Sequence, residues 1–246
     1  MRRLFGRVEA GFDLLYLTAA LGMAALLTFT GEGGPARTLG GIMAFLLAAG
    51  DACHLIPRVL AICARRGDSA FRKAMGRGKQ VASITMTVFY VLLFHAGRLI
   101  LTSLPAGNSL PAGIGLPAGN SLPAGIGLPA GILNSPLWIA LIYPAAALRI
   151  LLCLLPQNRW QDPDPPAAWG VRRNIPFLVL GLAAAAYFFL GRAGMGALAW
   201  AWLAILLSFL FYLPVVLFVR RAPQVGALML PKSCAYLWLI SMFLAL

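Results

Sequence analysis

Seven stretches of the chain stay apolar long enough to cross a bilayer. They fall at about 10–30, 38–63, 80–103, 136–155, 174–191, 195–219 and 225–246, and a spanning helix needs roughly 20 predominantly apolar residues. The fifth, Asn174 to Gly191, is the shortest, and its Ala183-Ala184-Ala185-Ala186 run permits close helix packing. This pattern predicts an all-α fold: an integral membrane bundle of about seven transmembrane helices, forming one polytopic domain over 1–246. The first run superficially resembles a signal peptide. Glu9 and Asp13 interrupt it, and Thr28-Phe29-Thr30-Gly31 offers no small-x-small cleavage site. It reads as an uncleaved first helix.

Composition agrees. Hydrophobic residues make up 61% of the 246 and charged residues 11%, against roughly 45–50% and 25% in a soluble domain. The net charge of +13 would suit a nucleic-acid binder, but the basic residues cluster in short connections between apolar runs and form no continuous basic face. No nucleic-acid partner is expected.

The distribution of those charges predicts orientation. Arg2, Arg3 and Arg7 precede the first span. Arg65, Arg66, Arg72, Lys73, Arg77 and Lys79 fall between the second and third, Arg159, Arg172 and Arg173 between the fourth and fifth, and Arg220 and Arg221 between the sixth and seventh. These fourteen lie on one side, against Arg37 and Arg192 on the other. The positive-inside rule then puts the N-terminus in the cytoplasm and the C-terminus outside, in a bacterial cytoplasmic (inner) membrane.

Leu-Pro-Ala-Gly begins at Leu104, Leu110, Leu116, Leu122 and Leu128. Proline with glycine two positions later favours successive turns, so 104–134 reads as a turn-rich loop inserted between spans three and four. A hexapeptide β-helix would need more coils than five hexads supply. Pro156 predicts the end of the fourth span, Asp162-Pro163-Asp164-Pro165-Pro166 a stretch without regular structure, and Trp160 and Trp169 an interfacial belt.

Against this background the ionisable residues inside the spans stand out. Asp51, His54 and Arg58 interrupt the second run. At ~100° per residue, His54 lies roughly 60° and Arg58 roughly 20° from Asp51, one narrow helical stripe. A charge at a bilayer centre costs about 2.5–3.5 kcal/mol on insertion scales and normally faces protein or trapped water. Glu9, Asp13 and Tyr16 share one face of the first span, where an interfacial position would account for the two acids. Ser83, Thr87, Tyr90 and Arg98 share a stripe of the third with His95 at its margin, and Arg149 and Lys232 sit in the fourth and seventh. A structural Asp51–Arg or Asp51–Lys ion pair would account for part of this set, and snorkelling to headgroups would account for Arg58 and Arg149.

Metal and cofactor chemistry are not expected. The two histidines lie on different spans, Cys-x-x-Cys spacing is absent, and Cys53, Cys63, Cys153 and Cys234 read as small buried hydrophobes. No nucleophile elbow, Walker loop or dinucleotide fingerprint occurs.

Gly50-Asp51 in an apolar helix of a compact bundle resembles the YhhN-type lysoplasmalogenase family, polytopic proteins that cleave vinyl-ether lysolipids with intramembrane aspartates. That family is usually drawn with eight spans, and His54-Leu55-Ile56-Pro57-Arg58 lies outside its pattern. Ser83–Tyr90 and Leu230–Tyr236 look more like a group of uncharacterised bacterial membrane proteins, which implies no activity. A lysine in the seventh helix is also similar to heliorhodopsin-like retinal proteins, but Lys232 stands close to the start of its helix and the surrounding motifs differ.

Together these readings predict a cationic intramembrane cavity that binds or hydrolyses an anionic, lysophospholipid-like membrane lipid. Asp51 and His54 are the candidate catalytic pair, and Arg58, Tyr90, His95, Arg98, Arg149 and Lys232 the candidate ligand-binding set. The alternatives are a proton-coupled transporter using Asp51 and His54 as a relay, and a structural membrane subunit without catalysis.

Overall fold

A computed structural model describes residues 2–30, 34–63, 68–103 and 130–246. Among these residues regular structure is entirely helical: α1 (Arg2–Phe29), α2 (Pro35–Cys63), α3 (Asp68–Thr102), a single turn α4 (Ala130–Leu133), α5 (Leu137–Leu154), α6 (Ala167–Gly191), α7 (Ala201–Phe218) and α8 (Met229–Ser241). All but α4 contribute to seven segments long and apolar enough to cross a membrane. Large apolar side chains such as Leu15, Phe45, Leu148 and Leu210 point outward, on a scale that water would not tolerate but hydrocarbon accepts. The architecture is that of a multi-pass membrane protein.

The helices close in a ring. Each long helix packs on the next, α3 meets both α5 and α6, and α8 returns to α1. The middle of the ring is filled by Tyr16, Leu47, Phe89, Tyr90, Leu93, Phe94, Tyr187, Phe188, Ile205 and Phe243, all 1% exposed or less.

The tightest joint is between α2 and α3. Pro57 lies inside α2 and has no N–H, so the Cys53 carbonyl four residues earlier lacks its helical donor. Gly78 of α3 sits directly against that carbonyl: a Cβ built there would strike the Cys53 oxygen and carbon. Two residues from Asp51 the backbones are thus in contact with no side chain between them. Gly50 makes a similar approach to the Thr85 side chain. Gly78→Ala is expected to destabilise the detergent-purified protein by about 1–3 kcal/mol or more, the cost of overpacking a closed site. Gly22→Ala, whose added Cβ meets open space, should leave the melting temperature unchanged. Equal melting temperatures for the two variants would remove the seam as a source of stability.

Four expectations need correction or placement. The fifth span is not short: α6 starts at Ala167, immediately after Pro166, because proline fixes a backbone angle suited to a helix start. Arg172 and Arg173 are therefore helical, as are Arg72, Lys73, Arg77 and Lys79, since α3 begins at Asp68. Cys53, Cys63 and Cys234 are exposed and only Cys153 is buried; a thiol is apolar enough to face hydrocarbon. Most of the Leu-Pro-Ala-Gly loop, 104–129, lies outside the described residues, and its last copy runs into the turn α4.

Candidate functional site

Two walls of opposite charge face one another where the helices leave the core toward their basic ends. The acidic wall belongs to α1 and α2. The Tyr16 hydroxyl donates to Asp51 Oδ2 at 2.7 Å. Arg58 is ion-paired with Glu9. Asp13, one turn before Tyr16, is only 6% exposed, and its Oδ2 has no partner. His54 Nδ1 is likewise buried without a partner.

The basic wall comes from α5, α6 and α8, and its cations rest on aromatic rings. The Arg149 guanidinium carbon lies 3.3 Å from the centre of the Phe177 ring, and Arg173 lies 4.1 Å from that of Trp160. Arg173 Nη1 also donates to Asn158 Oδ1 at 3.0 Å. Lys232 Nζ stands 4.8 Å and 5.3 Å from the Tyr212 and Tyr236 ring centres. Arg149 is 2% exposed, yet its Nε and Nη1 have no hydrogen-bond partner.

Between the walls is a cavity of about 280 Å³, into which Glu9, Asp13, Asp51, His54, Arg58, Lys79, Arg149, Arg173 and Lys232 all project. A second cavity of about 580 Å³ adjoins it on the side of the 155–166 connection. The two share Lys79, Trp160, Arg173, Tyr212 and Met229, and Arg72 and Arg220 stand at the outer rim. Toward the opposite end the site is closed. The Tyr90 hydroxyl lies 3.4 Å from that of Tyr236 and 3.3 Å from that of Ser208, and beyond it Leu93, Phe94 and Tyr187 fill the core. The site is a blind pocket.

Of the residues expected from sequence, Asp51, His54, Arg58, Arg149 and Lys232 line this pocket. Tyr90 does not, and stands behind it through Tyr236. His95 and Arg98 lie further along α3. His95 Nε2 is 2.7 Å from the Tyr143 hydroxyl, and Arg98 stacks on Phe94. Their helical stripe is right but their depth is wrong, because eight residues separate Tyr90 from Arg98, about 12 Å of helix. The arginine form of the alternative Asp51–Arg or Asp51–Lys pair finds no ion pair among the described residues: Arg58, two turns away, meets Glu9. Asp13 is buried among the residues that line the pocket.

Tyr16, Arg173, Tyr212 and Phe177 were not expected as site residues. The shared face of Glu9, Asp13 and Tyr16 carried a signal for the first, whereas nothing local marks Phe177 as a seat for a cation. Among the described residues no three of His, Cys, Asp and Glu converge as metal ligands.

No family model, curated protein or solved structure matches this chain.

Proposed function

We propose that the pocket binds the headgroup of a phosphate-bearing, lysophospholipid-like lipid in the cytoplasmic half of a bacterial inner membrane. Arg149 carries this reading. Removing a charged group from water costs several kcal/mol even after relaxation. A cation–π contact such as that with Phe177 returns about 2 kcal/mol when desolvated. The difference leaves a need for an anion: Nε and Nη1 have no acceptor, and Arg149 is among the residues that line the pocket. Lys232 and Arg173 add positive charge from neighbouring helices. The volume suits a headgroup, with any acyl chain left outside.

The adjacent acid–base groups extend the reading to hydrolysis. A vinyl ether is cleaved when a proton adds to the alkene carbon and water attacks the resulting oxocarbenium carbon; the hemiacetal then collapses to an alcohol and an aldehyde, releasing a proton. Asp51 would deliver the first proton from a side chain oriented by Tyr16, and His54, which lines the same cavity, would hold the water. The transporter alternative calls for a route to the other end, which the layer from Tyr90 to Tyr187 fills.

Protein extracted in mild detergent should retain about one phosphate-bearing lipid per chain, read by native mass spectrometry and lipid extraction. Preparations that are folded yet carry no phosphorus-containing lipid, and bind none on titration, would overturn the proposal.

A further inference from the structure

The pocket has unmet needs of both signs, and they lie on opposite walls. On the basic side, Arg149 presents Nε and Nη1 without acceptors. On the acidic side, the three carboxylates are not equivalent. Glu9 has Arg58. Asp51 accepts from Tyr16 and lies near enough to Lys232 for their charges to interact. Asp13 remains: it is among the residues that line the cavity, is only 6% exposed, and its buried Oδ2 has no partner. The cation whose charge acts on it, Arg58, is already engaged by Glu9. An ionised carboxylate is an acceptor only, so what completes Asp13 is a donor, and in a desolvated site preferably a charged one. A simple anion would satisfy Arg149 and worsen the surroundings of Asp13.

We propose that the ligand is a zwitterion whose oxyanion is held by Arg149 and whose N–H-bearing ammonium is held by Asp13. This rests on the reading of the pocket as a headgroup site and narrows it to an amino-alcohol phosphate. A quaternary ammonium has the charge but no hydrogen to give Asp13 Oδ2. A phosphate monoester lacks the cation altogether. Lys232, which also lines the cavity, lies within electrostatic reach of both Asp51 and Arg149.

The test titrates delipidated wild-type protein in detergent, by calorimetry, with three lysolipids of one acyl chain. They carry phosphoethanolamine, phosphocholine or phosphate alone, and soluble phosphoethanolamine serves as a fourth probe. A charge-assisted hydrogen bond contributes enough for the phosphoethanolamine lipid to bind about tenfold or more tightly than the other two lipids. Asp13→Asn should erase that preference. The comparison among ligands needs no variant, so it stands even where Asp13→Asn fails to fold. Equal binding of the three lipids, or tighter binding of the phosphate monoester, overturns the zwitterion and leaves the headgroup site in place. Failure of all three to bind removes the headgroup site itself. If soluble phosphoethanolamine binds as tightly as its lysolipid, the zwitterion holds and its source is a free solute.

Discussion

Arg149→Met is expected to lose bound phospholipid and yet give a stripped protein at least as stable as the parent. The two effects have one cause. In the empty site the guanidinium is 2% exposed and has two nitrogens without partners, so folding bears an electrostatic cost that stacking on Phe177 does not offset. Methionine fills a similar elongated space against the ring without a charge. Truncating one partner of a buried charge pair typically costs about 2–5 kcal/mol of binding, or roughly thirty-fold to several thousand-fold in affinity. Arg58→Ala is the contrasting variant. Its side chain is 40% exposed and is occupied by Glu9, and exposed ion pairs contribute about 0–1 kcal/mol. Binding should weaken less than about fivefold. Lipid retention and melting temperature, measured on the same three preparations, decide the matter. A destabilised Arg149→Met that still holds its lipid would make Arg149 a structural residue.

Asp51→Asn should abolish turnover of an ether-linked lysolipid while leaving headgroup binding within a few-fold of wild type. Asparagine keeps the shape of the side chain and can still accept from the Tyr16 hydroxyl, now 2.7 Å from Asp51 Oδ2, but it cannot deliver a proton. General acid catalysis contributes about 10²–10⁴-fold, so the loss should be of that order. Tyr16→Phe removes one hydrogen bond, a matter of about 0.5–1.5 kcal/mol, and should slow the reaction tenfold at most. The assay offers vinyl-ether and ester lysolipids to the purified protein and follows aldehyde or fatty acid by mass spectrometry. Full activity in Asp51→Asn, or no consumption of any lipid by the parent protein, rejects the chemistry. A protein that is merely structural would respond to Asp51→Asn in stability or assembly alone.

How much of this was legible beforehand depended on whether the information was local. Apolar length announces a spanning helix without reference to anything else, and the seven segments are where the chain's hydropathy puts them. The start of α6 was harder to see, because Arg172 and Arg173 look like loop charges until Pro166 is recognised as the residue just before the helix. Helical periodicity correctly aligned Asp51, His54 and Arg58, and all three line the pocket. The same reasoning drew His95 and Arg98 into the site wrongly. Alignment along a stripe says nothing about depth, and Ser83, which lines the pocket, is fifteen residues or about 22 Å of helix from Arg98. Partner choice was illegible for a different reason. Whether Arg58 meets Asp51 or Glu9 depends on the approach of α1 to α2, which no single helix encodes. Aromatic seats such as Phe177 under Arg149 look in sequence like any other apolar position.

The adjoining chambers divide the basic residues by the medium in which each acts. At 35 residues, α3 is about 52 Å long, well beyond a hydrocarbon core of about 30 Å. On the proposed orientation, Arg72, near its start, and Arg220 of the outer chamber would work in a wet, ion-rich layer, where interactions are largely screened beyond about 8–10 Å. Arg149 works in a medium where the same charge is felt several times more strongly. For the anionic headgroup proposed above, the outer residues would govern how often it arrives, and salt would weaken them. The inner ones govern how long it stays. A single count of positive charges around the pocket thus merges two quantities, a capture rate and a residence time, that the depth of the bundle keeps apart.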